Sequence, residues 1–440
     1  MENNSKIGLF SAVALTVGAM VGSAIFALSG VTIQQSGNAA LISWVLAGVI
    51  LFGYGIIAAF LAKKWPDSGG MYTFPEKALG GKTQDGEIDE NVSRTVNIRG
   101  KFFGFLGAWT YLFGCVAGVS FSAIYLGYYS AMIFPALAEY ATIISLAFLT
   151  IALVLNLLEI DIMSRIHTIL TVSLIVILAI YIISTFLQPG FSIQGNVVGV
   201  NPLSEIASSI PIAILAYGSI VVPAFMSGAI KNPKKNVPLA MLISMSFTIL
   251  LYFFTILSTL GFVSQTTLQE NPSVAYSPLT AAVSAWGAPE IFVHLINIGA
   301  ILALFTTLLV VMTLGAQSIK EPAKNALFPK VFAGKTGSNL AFYVMLLVVT
   351  LFYSSVQAII ESGALFNVIF IILIAASIIK VGTRWQKALG GAVSIALVAC
   401  YIPEIVAGDE ELWLTSAVYL TFGLLIFIFM RFSEKNKRYT

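Results

Sequence analysis

Gly18-Ala-Met-Val-Gly22-Ser23-Ala24-Ile25-Phe26 sits in the middle of an apolar stretch, residues 7–34, long enough to cross a bilayer. Each glycine lowers helix stability by about 1 kcal/mol and lets a neighbouring backbone come close. The sixth apolar stretch, residues 204–229, is irregular in the same way, with Pro211, Tyr217-Gly218-Ser219, Pro223 and Gly228. Proline removes a backbone donor and clashes with the turn before it. Paired Gly/Pro interruptions in corresponding spans of two halves point to a binding site near the membrane midplane. The competing reading is close helix packing alone, as in Gly18-xxx-Gly22 and Gly114-xxx-Gly118. The two readings are compatible.

Working outward, composition sets the class. The chain has 440 residues, 58% of them hydrophobic and 10% charged, where soluble domains average about 25% charged. Twelve apolar segments follow one another: about 7–34, 40–62, 102–134, 141–158, 166–187, 204–229, 238–263, 290–318, 339–357, 363–380, 389–406 and 412–431. All 23 Lys and Arg fall before the first, after the last, or in the loops after segments 2, 4, 6, 8 and 10. The other six loops have none. Basic residues concentrate in cytoplasmic loops, so the expectation is an all-α polytopic protein of the cell membrane, crossing twelve times with both termini cytoplasmic. The net charge of +3 then reflects topology and gives no hint of nucleic acid. The first stretch is too long for a signal-peptide core and reads as a retained span.

Segments 1–5 (residues 1–187, with the polar loop 63–101) and segments 6–10 (residues 203–382) form two blocks of five. Five is odd, so the second block enters the membrane inverted, the arithmetic of an inverted-repeat transporter. Residues 383–440 add segments 11 and 12 and a basic tail. Within the polar loop, Thr83–Asn97 is acidic, lacks an apolar period and reads as an irregular segment.

Several chemistries are missing. Gly80-Gly-Lys82-Thr83 and Gly334-Lys335-Thr336 lack the first glycine of a phosphate-binding loop. The two histidines, His167 and His294, have no Cys or Asp cluster at ligand spacing, so no metal site is expected. Cys115 and Cys400 both fall within spans, against a disulfide framework. No Ser, His and Asp set marks a hydrolase, and an enzyme is not expected. No span carries Asp, Glu, Lys or Arg near its centre, where charges are costly and usually functional. Recognition then falls to backbone groups, hydroxyls and aromatics. Half-helix N–H groups attract a carboxylate and freed carbonyls accept from an ammonium, a pairing that fits a zwitterionic amino acid.

At these residues the chain resembles the amino acid–polyamine–organocation superfamily of permeases. Gly22-Ser-Ala-Ile-Phe26 resembles the family's GSGIF signature, and Pro66-Asp-Ser-Gly-Gly-Met-Tyr72 its P-x-S-G-G-x-Y element. Gly104-Phe-Leu-Gly-Ala-Trp109 resembles the start of its third span, and Gly228-Ala-Ile-Lys-Asn-Pro-Lys-Lys-Asn-Val-Pro238 its K-N-P-x-x-N-[IV]-P stretch. Ala316-Gln-Ser-Ile-Lys320 with Phe328-Pro-Lys330 looks like the end of span 8 in the arginine and polyamine exchanger branch. The resemblance implies a leucine-transporter-like fold, a five-plus-five inverted repeat with helices 1 and 6 broken, and secondary transport by alternating access. It implies that Val21, Gly22, Ser23, Ala24 and Ile25 form an unwound segment whose N–H groups hold the substrate carboxylate. The carbonyls of Leu215 and Ala216 would receive the ammonium, with Tyr217, Gly218 and Ser219 completing the site.

The chain departs from the pattern. The middle glycine of GSGIF is Ala24, and the exchanger branch's Trp and Glu in span 6 are Leu215 and Val221 here. A cationic side chain would lack an acidic partner, and an unpaired buried charge costs several kcal/mol. The expected substrate is therefore a neutral amino acid. The alternative is an amino acid/biogenic amine antiporter paired with a decarboxylase. Neither a cofactor nor a partner subunit is required. For coupling, Thr306 and Thr307 with the Ala19 carbonyl are candidate sodium ligands. The lysine that some proton-coupled relatives carry in span 5 is missing from Thr171-Val-Ser-Leu174.

Overall fold

The computed structural model describes residues 6–66, 69–80, 90–192, 203–352, 355–407 and 410–436. Asp67 and Ser68 of the P-x-S-G-G-x-Y element, and residues 83–89 of the acidic loop, lie outside them. The described residues are nearly all helical and contain no strand. A lone parallel bridge joins Ile7 to Ile230.

Twelve helices among the described residues are long and apolar enough to cross a membrane. These spans are Leu9–Ser36, Ala39–Lys64, Ile98–Ile133, Pro135–Leu157, Ile160–Phe186, Glu205–Phe225, Pro233–Leu260, Glu290–Lys324, Lys335–Phe352, Val356–Val381, Arg384–Ile402 and Leu412–Arg431. They are numbered 1–12 below. Helices suit hydrocarbon because each backbone N–H and C=O finds its partner within the segment.

Several boundaries differ from the sequence reading; span 10, for one, begins at Val356 rather than 363. The third helix begins at Glu90, inside the segment read as irregular, because no proline or glycine stops winding between Glu90 and Arg99. Span 5 starts at Ile160 rather than 166. Polar residues mask its first turns in a hydropathy reading, yet Asp161 and Arg165 pair at 2.7 Å one turn apart.

Burial sorts the spans into a centre and a periphery. Spans 1, 3, 6, 8 and 10 are 61–78% buried, spans 4, 5, 9, 11 and 12 only 24–33%. The two irregular helices therefore lie in the interior, where non-helical backbone is tolerated in a membrane protein. At the basic end, the Ile7 N–H donates to Ala229 O and the Lys231 N–H to Ile7 O, each at 3.0 Å. That bridge ties the start of span 1 to the segment after span 6. Gly69, at φ +88, turns the chain there into the helix Gly70–Leu79. Its N–H donates to Phe225 O at 2.9 Å.

Candidate functional site

Span 1 does not unwind. It is α-helical from Leu9 to Ser23, π-helical over Ala24–Leu28, and α-helical again from Ser29 to Ser36. The expectation of an unwound segment at Val21–Ile25 is thus corrected to an expanded turn just after Gly22. The physical reason is the packing of span 8. Gly22 lies against Ala303 O and the Thr307 hydroxyl so closely that a Cβ would collide with both. The Ser23 N–H donates to Thr307 Oγ1 at 2.9 Å. A π turn fits one extra residue into the helix beside this contact, and such turns cluster at functional sites.

Hydroxyls then satisfy the carbonyls around the turn. Thr306 Oγ1 donates to Ala303 O at 2.7 Å and also lies 3.2 Å from Gly18 O. Tyr129 donates to Phe26 O at 3.0 Å, and Ser29 to Ile25 O. The Tyr252 hydroxyl donates to Met20 O and also lies 3.4 Å from Ala216 O. It thereby stands between the irregular turns of both helices. Span 6 is α-helical to Tyr217, 3₁₀ over Gly218–Val221, and α-helical over Val222–Phe225. Gly218 marks the switch; a Cβ there would lie 2.8 Å from Asn367 Nδ2.

The two turns face each other across a cavity of about 60 Å³. Ala19, Ser23, Ala24, Leu215, Ala216, Gly218, Ser219 and Thr307 line it, all of them candidates from the sequence. Span 3 contributes Tyr111, Gly114, Cys115 and Gly118, span 8 adds Val311, and span 10 adds Asn367. Among the described residues, no Asp, Glu, Lys, Arg or His reaches the wall. Asn367 is 5% exposed, and its Nδ2 has no hydrogen-bond partner. Such a donor costs about 1–3 kcal/mol until something in the cavity accepts from it.

Other candidates fall elsewhere. Val21 and Ile25 are buried in the packing around span 1, and Gly22 faces span 8. Tyr217, expected to line the site, does not. Its ring packs edge-on to Trp44 and Tyr252, with centroids at 6.2 and 5.0 Å, and its buried hydroxyl has no partner. The physical reason is that Tyr217 is the last α-helical residue before the 3₁₀ turn, which turns its side chain toward span 2 and away from the cavity. Thr306 is spent on Ala303, so of the two threonines only Thr307 reaches the cavity wall.

Sequence reading missed Tyr252 and Asn367. A signal existed for the first. Ser244, Thr248, Tyr252, Thr255 and Thr259 recur at helical spacing in span 7, and all five are buried. Asn367 was detectable only as a lone amide in an apolar span. His167, dismissed as a metal ligand, is fully buried in span 5; its Nε2 lies 3.1 Å from Thr306 O and its Nδ1 3.2 Å from Thr171 Oγ1. With a carbonyl on one side, Nε2 carries the proton and Nδ1 accepts from the threonine.

Comparison with known proteins agrees with this architecture. The amino acid permease family model matches residues 7–437. A serine/threonine exchanger of Bacillus subtilis, SteT, is 26% identical over 310 residues, covering 68% of this chain and 64% of that protein. A Clostridium perfringens protein named "putative amino-acid transporter" is 24% identical over 357 residues, covering 76% of this chain and 68% of that protein. The match to the Bacillus exchanger thus spans somewhat under two thirds of its length. With the family model matched across nearly the whole chain, and with twelve apolar helices, this multi-pass membrane protein belongs to the amino acid permease family.

Proposed function

We propose that the chain is a secondary active transporter of small neutral amino acids. It would work by alternating access between two inverted repeats, residues 1–187 and 203–382, with both termini cytoplasmic. The observation that carries this reading is the uncharged cavity between the two irregular turns. At roughly 10–15 Å³ per water, its volume has room for about four to six water molecules, the scale of a small amino acid. The substrate carboxylate accepts from Asn367 Nδ2 and from the Ser23 N–H, which exchanges its bond to Thr307 for one to substrate. The ammonium donates to the carbonyls of Leu215 and Ala216. A hydroxyl on the substrate side chain has Ser219 within the same cavity.

Two further observations support the substrate class. The Bacillus relative is named for serine and threonine, and the wall offers no carboxylate to a basic side chain. The same lack of acid tells against the amine antiporter. For coupling we favour exchange without an ion, since Thr307 already accepts from Ser23 and the Thr306 hydroxyl is committed to Ala303. The bridge between Ile7 and Ile230 would hold the basic, cytoplasmic side shut in this state.

A melting-temperature screen of the purified protein against the common amino acids tests the assignment, because a ligand that binds only the folded state raises Tm. Serine, threonine and alanine should raise it and arginine should not. Stabilisation by arginine or agmatine alone would reverse the assignment.

A further inference from the structure

A second cavity, of about 340 Å³, opens between spans 2 and 7 at the basic end of the bundle. Helical spacing builds both walls. Phe52, Ile56, Phe60 and Lys63 follow one face of span 2, and Lys234, Pro238, Leu242 and Met245 one face of span 7. Span 2 ends where span 7 begins, so both lysines stand at the same mouth. Phe52, Ile56, Phe60 and Pro238 are half-buried and Leu242 is 50% exposed, so the walls keep apolar surface to offer. Ile220, in the 3₁₀ turn of span 6, closes the floor.

The charge at the mouth is of one sign. The side chains of Lys63 and Lys234 have no ion pair or hydrogen bond among the described residues, and both residues are exposed. The stretches that meet here, residues 60–66, 231–242 and 382–391, contain Lys and Arg but no Asp or Glu. Asp67, the nearest acid along the chain, lies outside the described residues and offsets at most one charge. Depth points the same way. Trp385 packs edge-on against Phe60 at 5.0 Å and is 54% exposed, and tryptophan favours the membrane–water interface. From that level the walls, Phe52 to Lys63 and Lys234 to Met245, run about 16 Å at about 1.5 Å per residue. That is close to half of a hydrocarbon core of about 30 Å, the depth of one leaflet.

We propose that this groove holds an anionic phospholipid. Its phosphate lies between Lys63 and Lys234, and one acyl chain runs down the groove along Phe60, Ile56 and Phe52. A zwitterionic lipid would bring its own cation to a mouth that is already positive, and basic pockets between helices on the cytoplasmic side take anionic headgroups.

The test is lipid retention, a readout independent of transport. The full-length protein is equilibrated in micelles with equal amounts of phosphatidylglycerol and phosphatidylcholine, and its bound lipid is read by native mass spectrometry. Phosphatidylglycerol should be retained over phosphatidylcholine. A lysine beside anionic lipid contributes about 1 kcal/mol, or about fivefold in affinity. Lys63→Gln and Lys234→Gln should therefore each cut the preference about fivefold, whereas Lys330→Gln, in the loop before span 9, should not change it. Ile56→Trp keeps both lysines and fills the groove, and should lower phosphatidylglycerol retention as well. Equal retention of the two lipids overturns the proposal, as does an unchanged preference in both lysine variants. Wild-type retention in Ile56→Trp would reduce the site to surface charge and overturns it too. So does binding of free glycerol phosphate with no lipid retained, and so does a dimer in place of bound lipid.

Discussion

The backbone N–H of Ser23 in span 1 donates to the side chain of Thr307 in span 8 at 2.9 Å. This bond crosses between the two halves of the chain at the edge of the central cavity. The donor stands next to the π turn, and the acceptor is a side chain that could release it. Substrate carboxylate and Thr307 thus compete for one N–H. Thr307→Val should take the acceptor from that buried donor and lower stability by about 1–3 kcal/mol, while Thr307→Ser should keep both stability and uptake. Thermal melts with radiolabelled uptake check this, and an unchanged Thr307→Val protein would remove the bond from the account.

The two key glycines should differ in tolerance. At Gly22 a Cβ meets a backbone carbonyl, Ala303 O, which cannot move aside. At Gly218 it meets the end of the Asn367 side chain at 2.8 Å, which can. Gly22→Ala should therefore cost about 1–3 kcal/mol and abolish transport. Gly218→Ala should keep the fold and weaken apparent substrate affinity by displacing Asn367. Uptake with a matched Tm measurement separates the two, and equal tolerance would contradict the geometry.

Two neighbouring tyrosines make a controlled pair. Tyr252 bonds to Met20 O and approaches Ala216 O; Tyr217 has a buried hydroxyl with no partner. Tyr252→Phe should lower stability by about 1 kcal/mol and slow transport, whereas Tyr217→Phe should be neutral or stabilising. The opposite ranking in melting and uptake would show that Tyr217, not Tyr252, serves the site.

Much of this architecture was legible in the sequence, for physical reasons. A bilayer demands long apolar helices, so the twelve spans stand out in composition. Gly18, Gly22, Gly218 and Pro223 mark the two irregular helices because only small or N–H-deficient residues locate such turns. The form of the first irregularity was not legible. A π turn instead of an unwound segment depends on Thr307 reaching Ser23 from 284 residues away. Side-chain direction was equally hidden. Tyr217 and Ser219 are two residues apart, yet only Ser219 reaches the cavity, because the 3₁₀ turn begins between them. Tyr252 and Asn367 gained their roles from tertiary contact alone.

Counterflow in proteoliposomes tests the central claim most directly. Vesicles preloaded with serine, threonine, alanine, arginine or agmatine would be given labelled serine outside, with sodium present or replaced by choline. The account predicts accumulation driven by the small neutral amino acids, unchanged without sodium and not driven by arginine or agmatine. Accumulation that needs arginine paired with agmatine would contradict it.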